Sequence, residues 1–156
     1  MIIRKANRDD IPSLLRLLSQ VLDVHHKGRP DLFRKGAVKY TEEELEALLA
    51  DPNRPVFLSE NESEYITGYC FTVFQQHIGN NILTDIKTLY IDDLCVDETC
   101  RGQHIGTLLY NYVKDFAKGE GCYNVTLNVW ALNDDAIAFY KARGMSVQKI
   151  GMEEIL

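Results

Sequence analysis

Long apolar runs are absent from this 156-residue sequence. A helix that crosses a bilayer needs about 20 consecutive, mostly apolar residues, and polar or charged residues interrupt every apolar run of the chain before that length. The N-terminus also lacks the apolar core of a signal peptide, since Arg4 follows only three apolar residues. We therefore expect no membrane partner and a cytoplasmic location.

Cysteine is scarce, and the four cysteines form no C-x-x-C pair. Cys70, Cys95 and Cys122 stand in strand-like apolar runs, where a thiol packs as a small hydrophobic group. The adjacent histidines His25 and His26 have no cysteine or carboxylate at the spacing of a metal site. The sequence therefore predicts neither a disulfide nor a bound metal.

Basic residues are outnumbered, because 17 Lys and Arg face 23 Asp and Glu and the formal net charge is −6. Nonspecific binding to nucleic acids relies on basic side chains that neutralise phosphates. This balance argues against a nucleic-acid partner and weakly favours a cationic one. Linkers rich in proline, glycine and serine are also absent, so a single domain spanning residues 1–156 is expected.

The spacing of apolar residues predicts an α/β domain, in which a mixed sheet carries helices on both faces. Alternating or continuous apolar runs predict strands at residues 2–6, 55–60, 65–76, 85–97, 123–130 and 148–156. Capping residues and a 3.6-residue period predict helices that begin after Asn7 or Asp9, at Thr41, near Gln103 or His104, and after Asn133.

A glycine-bearing loop joins the predicted strand 85–97 to the helix that follows it, and its sequence is Arg101-Gly102-Gln103-His104-Ile105-Gly106. The first N–H groups of a helix lack intrahelical partners and carry the positive end of the helix dipole, so phosphates bind there when small residues let the backbone approach. The loop is neither a P-loop nor the dinucleotide fingerprint. By itself it is equally typical of a close crossing between strand and helix.

Two stretches resemble the Gcn5-related N-acetyltransferase family. The loop signature of that family is Arg or Gln, two residues, Gly, one residue, and then Gly or Ala. Arg101 and Gly106 match, whereas His104 stands where the family usually has glycine. The second stretch, residues 131–145, is similar to the family's asparagine followed by a short helix that ends in Phe-Tyr and then a glycine. The resemblance covers residues 84–156 well and the N-terminal half in outline.

This resemblance implies a mixed, mostly antiparallel central sheet flanked by helices on both faces. It also implies acetyl-CoA as the cosubstrate, without a metal, and direct transfer of the acetyl group to a primary amine in a ternary complex. The acceptor remains open among a polyamine, an aminoglycoside, a protein N-terminus, a lysine and another small amine, and a homodimer is a further expectation. A noncatalytic acyl-CoA-binding or interaction module on the same fold is the alternative, because a fold does not determine an activity.

The resemblance also implies roles for individual residues. Tyr140 matches the usual proton donor to the coenzyme A thiolate, although its helical spacing is equally compatible with core packing. Asn133 matches a coenzyme-contacting asparagine and is also a good helix N-cap. The full set of expected coenzyme contacts is Leu94, Cys95, Val96, Arg101, Gly102, Gln103, His104, Ile105, Gly106, Thr107, Asn133, Phe139 and Tyr140.

Two adjacent carboxylates, Asp92 and Asp93, interrupt a strand that is otherwise apolar. Burying them is costly unless they serve binding or catalysis, and the run around them resembles polyamine acetyltransferases, in which acids here contact or deprotonate a cationic amine. Successive strand residues face opposite ways, so only one can enter a site unless the strand has a bulge. We favour Asp92 as the base, directly or through water, with Asp93 and Trp130 binding the substrate; a satisfied structural pair at a bulge is the alternative.

His104 is the clear departure from the loop signature. A strongly periodic helix begins around it, so we expect ordinary helical dihedral angles at this residue and an imidazole that points to solvent or to a coenzyme phosphate. Replacing His104 by glycine is then expected to change the affinity for acetyl-CoA only a few-fold.

Overall fold

The computed structural model describes residues 1–156. Its elements in chain order are β1 (Ile2–Lys5), α1 (Ile11–Gly28), α2 (Glu42–Ala50), β2 (Val56–Glu60), β3 (Ile66–Gln76), β4 (Lys87–Val96), α3 (Ile105–Gly119), β5 (Asn124–Leu127) and α4 (Asp134–Lys141). Short 3₁₀ turns at Arg8–Asp10 and Glu98–Cys100 precede α1 and follow β4. None of the helices combines the length and the apolar character that crossing a bilayer would require.

The five strands form one sheet in the order β1-β2-β3-β4-β5. All neighbouring pairs are antiparallel except β4 and β5, which are parallel and are joined by α3. The side chains of β3 alternate between two buried clusters: Tyr69 and Phe71 pack with α1 and α2, whereas Cys70 packs with α3. The predicted fold class, a mostly antiparallel mixed sheet with helices on both faces, is confirmed.

A β-bulge in β4 and the early end of β5 create an opening in the sheet between these two strands. Asp93 pairs with Phe71 of β3 and Ile91 pairs with Thr72, so Asp92 is the extra residue of the bulge. On the other side, the last pair between β4 and β5 joins Ile91 to Leu127. Residues 92–96 of β4 therefore run past the end of β5, and the backbone edge of this segment faces no neighbouring strand.

A buried carboxylate fixes the exit from β4. Asp97 accepts hydrogen bonds from the Tyr65 hydroxyl at 2.8 Å, from the Thr99 backbone N–H at 3.0 Å and from the Arg16 guanidinium of α1. Burial would favour the neutral acid, but these donors together hold the pKa of Asp97 well below its ordinary value. The charged network ties α1 to the residues that lead into α3.

The predicted final strand at residues 148–156 is absent, because the chain beyond α4 forms neither helix nor strand. A strand needs a ladder partner and a face to bury, and in the single chain this segment has neither. Its apolar side chains are exposed, including Ile150 at 75% and Met152 at 89%. Its anchoring hydrogen bonds instead run from the Arg29 guanidinium to the Glu153 carboxylate, at 2.8 and 3.1 Å.

Candidate active site

The first turn of α3 presents free backbone donors at the end of the loop. α3 begins at Ile105, and no side chain caps it, so its first N–H groups are available to an anion. Gly106 lets α4 approach closely, because a Cβ at this position would lie 3.2 Å from the Phe139 ring and 3.5 Å from a Val96 methyl group. Arg101 and Gly102 are exposed beside these donors.

Arg143 places a cation behind the first turn of α3. Its guanidinium lies 3.6 Å from the centroid of the Phe139 ring, donates to the Phe139 carbonyl at 2.7 Å and donates to the Thr107 hydroxyl. The Arg143 Nε is buried and has no hydrogen-bond partner in the chain. Two sources of positive potential, the helix dipole and this guanidinium, therefore act on the same loop.

The expected helical conformation of His104 is wrong, because this residue has φ 61° and ψ 13° and lies in the left-handed region. The chain leaves Arg101 in an extended conformation and must reverse within three residues to start α3 at Ile105. His104 takes up that reversal as the residue before the helix. A side chain in this conformation costs about 1–2 kcal/mol, so the loop has the geometry that glycine normally supplies.

His104→Gly is therefore expected to increase the free energy of unfolding by about 0.5–1 kcal/mol, since relief of the left-handed strain outweighs the added backbone entropy of glycine in the unfolded chain. His104→Ala is the matched control, because it removes the imidazole but keeps the strain. Urea denaturation of the three proteins measures the difference. Equal stability of the glycine and alanine variants would show that the strain is absent.

The unpaired part of β4 presents its backbone to the opening. The Cys95 side chain packs in the cluster with α1 and α2, whereas Leu94 and Val96 pack against the cluster with α3. Cys95 is buried, and Leu94 and Val96 are partly buried. The main-chain N–H and C=O groups of residues 94–96 that point away from β3 are therefore the polar groups available to a ligand lying along this edge.

The bulge brings both carboxylates of the acid pair to one ammonium group. The Lys39 Nζ lies 3.1 Å from an Asp92 carboxylate oxygen and 3.4 Å from an Asp93 carboxylate oxygen. Tyr69 donates to Asp93 at 3.0 Å, and Tyr40 donates to Asp92 at 3.4 Å. Successive strand residues face opposite ways, so both acids can enter one site only if the strand has a bulge. The bulge at Asp92 meets this condition.

The two acids differ in their surroundings. The Asp93 side chain is 10% exposed and the Asp92 side chain is 32% exposed. Burial raises the pKa of Asp93 above its ordinary value, although Lys39 and Tyr69 oppose the shift. Burial also disfavours the charged form of Lys39, but the two neighbouring carboxylates outweigh this effect and its pKa is raised. The ammonium is thus retained as a cation by the acid pair.

Tyr140 lies on α4 within the cluster around α3. Its ring centroid is 5.0 Å from that of Phe139 and 6.2 Å from that of Tyr110. Burial, followed by the neighbouring Cys70 and Asp93, raises the pKa of Tyr140 well above its ordinary value. The phenol therefore keeps its proton at neutral pH and can donate a hydrogen bond to a developing anion.

Residues 19–145 match the family model described as the acetyltransferase (GNAT) family. The chain belongs to this family. It is 24% identical over 159 residues to a thialysine N-epsilon-acetyltransferase of Bos taurus, covering 92% of this chain and 83% of the relative. It is 25% identical over 147 residues to the peptidyl-lysine N-acetyltransferase YjaB of Salmonella typhimurium, covering 93% of this chain and 83% of the relative.

The crystal structure of a tetramutant of the BH1408 protein from Bacillus halodurans matches with a TM-score of 0.95 and 34% identity, covering 100% of both chains. Its membership of the GNAT family and its N-acetyltransferase relatives show that this enzyme is an acyltransferase, and acetyltransferases of its family use acetyl-CoA as the cosubstrate. No group of three or more His, Cys, Asp or Glu side chains is placed to hold a metal ion.

Coenzyme A fits the groups that the GNAT enzyme presents. Its pyrophosphate requires an anion site, and the uncapped first turn of α3 and the partly buried Arg143 guanidinium are suited to form one. The amides of its pantetheine arm require main-chain partners, which the unpaired edge of residues 94–96 provides. Among the loop residues, Gln103 is exposed, the Thr107 hydroxyl binds Arg143, and the buried side chain of Ile105 leaves only its backbone accessible.

A groove of about 420 Å³ lies between the end of α1 and the segment after β5. Trp130 meets Phe33 edge-on there, with 5.4 Å between the ring centroids. Asn133 accepts a hydrogen bond from the Ala136 N–H at 3.2 Å, which confirms its N-cap role. The lining residues are Val24, His25, Gly28, Arg29, Phe33, Trp130, Leu132, Asn133, Asp134 and Asp135.

Sequence reasoning missed two parts of the site. No motif in the sequence marks Lys39, and only the folded chain shows that its ammonium contacts both Asp92 and Asp93. Arg143 follows the Phe-Tyr pair of α4, and no local pattern indicates its contact with Thr107. The useful signal for Lys39 was indirect: two carboxylates on a buried strand require a cation.

Proposed function

We propose that this enzyme transfers an acetyl group from acetyl-CoA directly to a primary alkylamine in a ternary complex. The main support for this proposal is the acid pair at the opening of the sheet. Asp92 and Asp93 together bind an alkylammonium group there, which is the side-chain ammonium of Lys39. A site that stabilises a lysine ammonium beside the unpaired strand edge suits an acceptor with the same chemical group.

The coenzyme would lie along the opening, with its pyrophosphate at the first turn of α3. Arg101 and Arg143 would supply positive charge, and residues 102–107 would supply N–H donors. The backbone of residues 94–96 would hold the pantetheine arm, and Asn133 would contact it from the start of α4. This placement sets the thioester near Asp93 and Tyr140, the two groups whose charges already influence each other.

The acid pair and Tyr140 divide the proton transfers. The acceptor enters as an ammonium ion and must lose one proton before its nitrogen can attack the thioester carbonyl. We assign this proton to Asp93, whose raised pKa makes it a stronger base than an ordinary aspartate, and the binding of the ammonium to Asp92. This division modifies the expectation from the sequence, in which Asp92 is the base. Tyr140 donates to the departing thiolate.

Two relatives guide the choice of acceptor. One is a thialysine N-epsilon-acetyltransferase and the other a peptidyl-lysine N-acetyltransferase, so both names specify a lysine-type side chain. We propose an acceptor of this class, free or within a peptide. We also propose that the enzyme is a homodimer, because the exposed apolar side chains of residues 147–156 and the free edge of β5 suit a contact with a second copy.

Acetyl-CoA titration combined with a turnover screen across amine classes tests this function. A ligand that binds only the native state stabilises it by about 2.7 kcal/mol at 100 times its Kd, so the melting temperature is expected to rise with acetyl-CoA. Lysine and thialysine are expected to be acetylated faster than aminoglycosides. Binding of acetyl-CoA without turnover of any amine would support a noncatalytic module. The absence of both a thermal shift and calorimetric binding would refute coenzyme binding.

A further inference from the structure

Lys39 occupies the position that the proposed function reserves for the amine of the acceptor. It lies between α1 and α2, far in sequence from the acids, and its side chain is only 29% exposed. Its ammonium contacts both carboxylates and lies 5.5 Å from the centroid of the Tyr40 ring. An external ammonium ion that binds the same acid pair must displace it.

The Lys39 side chain has a chemical property that a counterion does not need, because its amine can act as a nucleophile. An arginine could neutralise two carboxylates equally well, but it keeps its proton and cannot act as a nucleophile. A lysine amine becomes nucleophilic once it loses one proton, and the Asp93 carboxylate that can accept this proton lies at 3.4 Å. The chain thus presents a primary amine and a base together beside the strand edge assigned to the thioester.

We propose that Lys39 is an acetylation site of the enzyme itself, modified within the same molecule when acetyl-CoA is bound and no external amine is present. This inference rests on the proposed function, because it uses the same coenzyme, the same acid pair and the same proton donor.

The reaction balances without a further reactant. The Lys39 ammonium gives one proton to Asp93, and the nitrogen lone pair then forms a C–N bond with the thioester carbonyl carbon. The C–S bond breaks, and the sulfur leaves with the bonding electron pair and takes a proton from Tyr140. The nitrogen then loses a second proton, which reaches the Tyr140 phenolate through solvent and regenerates the phenol. Asp93 releases its proton to solvent. The products are an amide at Lys39, free coenzyme A and one proton.

Acetylation would change the site as well as the lysine. The amide carries no charge, so both ion pairs of Lys39 disappear and the acid pair is left for the ammonium of an external acceptor. Since Lys39 opposes the rise in the pKa of Asp93, its neutralisation also makes Asp93 a stronger base. The modified enzyme is therefore expected to have a lower KM for lysine-type amines than the unmodified enzyme.

Mass spectrometry of the full chain incubated with acetyl-CoA alone tests the proposal. One acetyl group is expected at Lys39, at a rate that is independent of protein concentration and is slowed by an added amine. Lys118, with a side chain 69% exposed, is the internal comparison. Because a positioned amine reacts far faster than a free one, Lys39 is expected to react more than about 10²-fold faster than Lys118.

Lys39→Arg and Tyr140→Phe are the matched variants. The first keeps the positive charge and is expected to abolish this modification, and the second is expected to slow it. If Lys39 stays unmodified in acetyl-CoA alone, while the same enzyme acetylates an external amine in a separate assay, the inference is overturned and the proposed function stands. Equal labelling of Lys39 and Lys118, or equal labelling in denatured protein, would also overturn it. Failure to bind acetyl-CoA would refute the proposed function and this inference together.

Discussion

Replacing Tyr140 by phenylalanine is expected to lower kcat about 10²-fold, at the low end of the range of about 10²–10⁴-fold for general acid catalysis. The low end applies because the pKa of Tyr140 is raised by burial, whereas a thiol has an ordinary pKa of about 8.5. Complete proton transfer from this phenol to the thiolate is therefore uphill. Most of its contribution comes from a hydrogen bond to sulfur as negative charge develops.

Steady-state and single-turnover kinetics with a lysine-type amine measure this effect. The phenylalanine ring retains the contacts with Phe139 and Tyr110, so the melting temperature and the affinity for acetyl-CoA should change little. Tyr110→Phe is the matched control, because it removes a hydroxyl from the neighbouring ring. If Tyr140→Phe leaves the chemical step at its original rate, Tyr140 serves only in packing.

Asp93→Asn is expected to reduce kcat/KM by about 10²–10³-fold, because it removes the proposed proton acceptor while preserving the shape of the side chain. Asp92→Asn is the matched control. Asp92 is more exposed, and its assigned role is to bind the ammonium, so this change is expected to raise KM about tenfold with a smaller effect on kcat. The opposite order of effects would restore the assignment of Asp92 as the base.

The pH dependence separates the two acids further. A base acts only when it is ionised, so kcat/KM falls as the pH drops through its pKa. Since burial raises the pKa of Asp93, this acid limb is expected above the ordinary aspartate value of about 4. The limb should disappear in Asp93→Asn and remain in Asp92→Asn. An unchanged limb in Asp93→Asn would assign the titration to another group.

The local sequence was sufficient for most of the elements and for the chemistry of the loop. Alternation and 3.6-residue periodicity depend on neighbouring residues alone. Of the ten elements that they predict, nine are present, including the helix capped by Thr41 and Glu44. The match of Arg101, Gly106 and Tyr140 to a family signature likewise depends on spacing along the chain. These features of the sequence indicate an acetyltransferase.

The tertiary structure decided how the chemical groups meet. The bulge at Asp92 arises from the register between β3 and β4. The contact of Lys39 with both acids depends on how the segment before α2 packs over β4. The contact of Arg143 with Thr107 likewise requires α4 to lie against α3. Each of these contacts joins residues at least 19 positions apart, and local patterns carry no information about such pairs.

The two errors from sequence have the same origin. His104 is left-handed because the loop must reverse direction between two packed elements, although the residues around it have a helical period. The segment 148–156 has the composition of a strand, but a strand exists only where a second strand supplies hydrogen bonds, and the single chain offers it none. Propensity specifies which conformations a segment tolerates, and its partners in the folded chain determine which one it adopts.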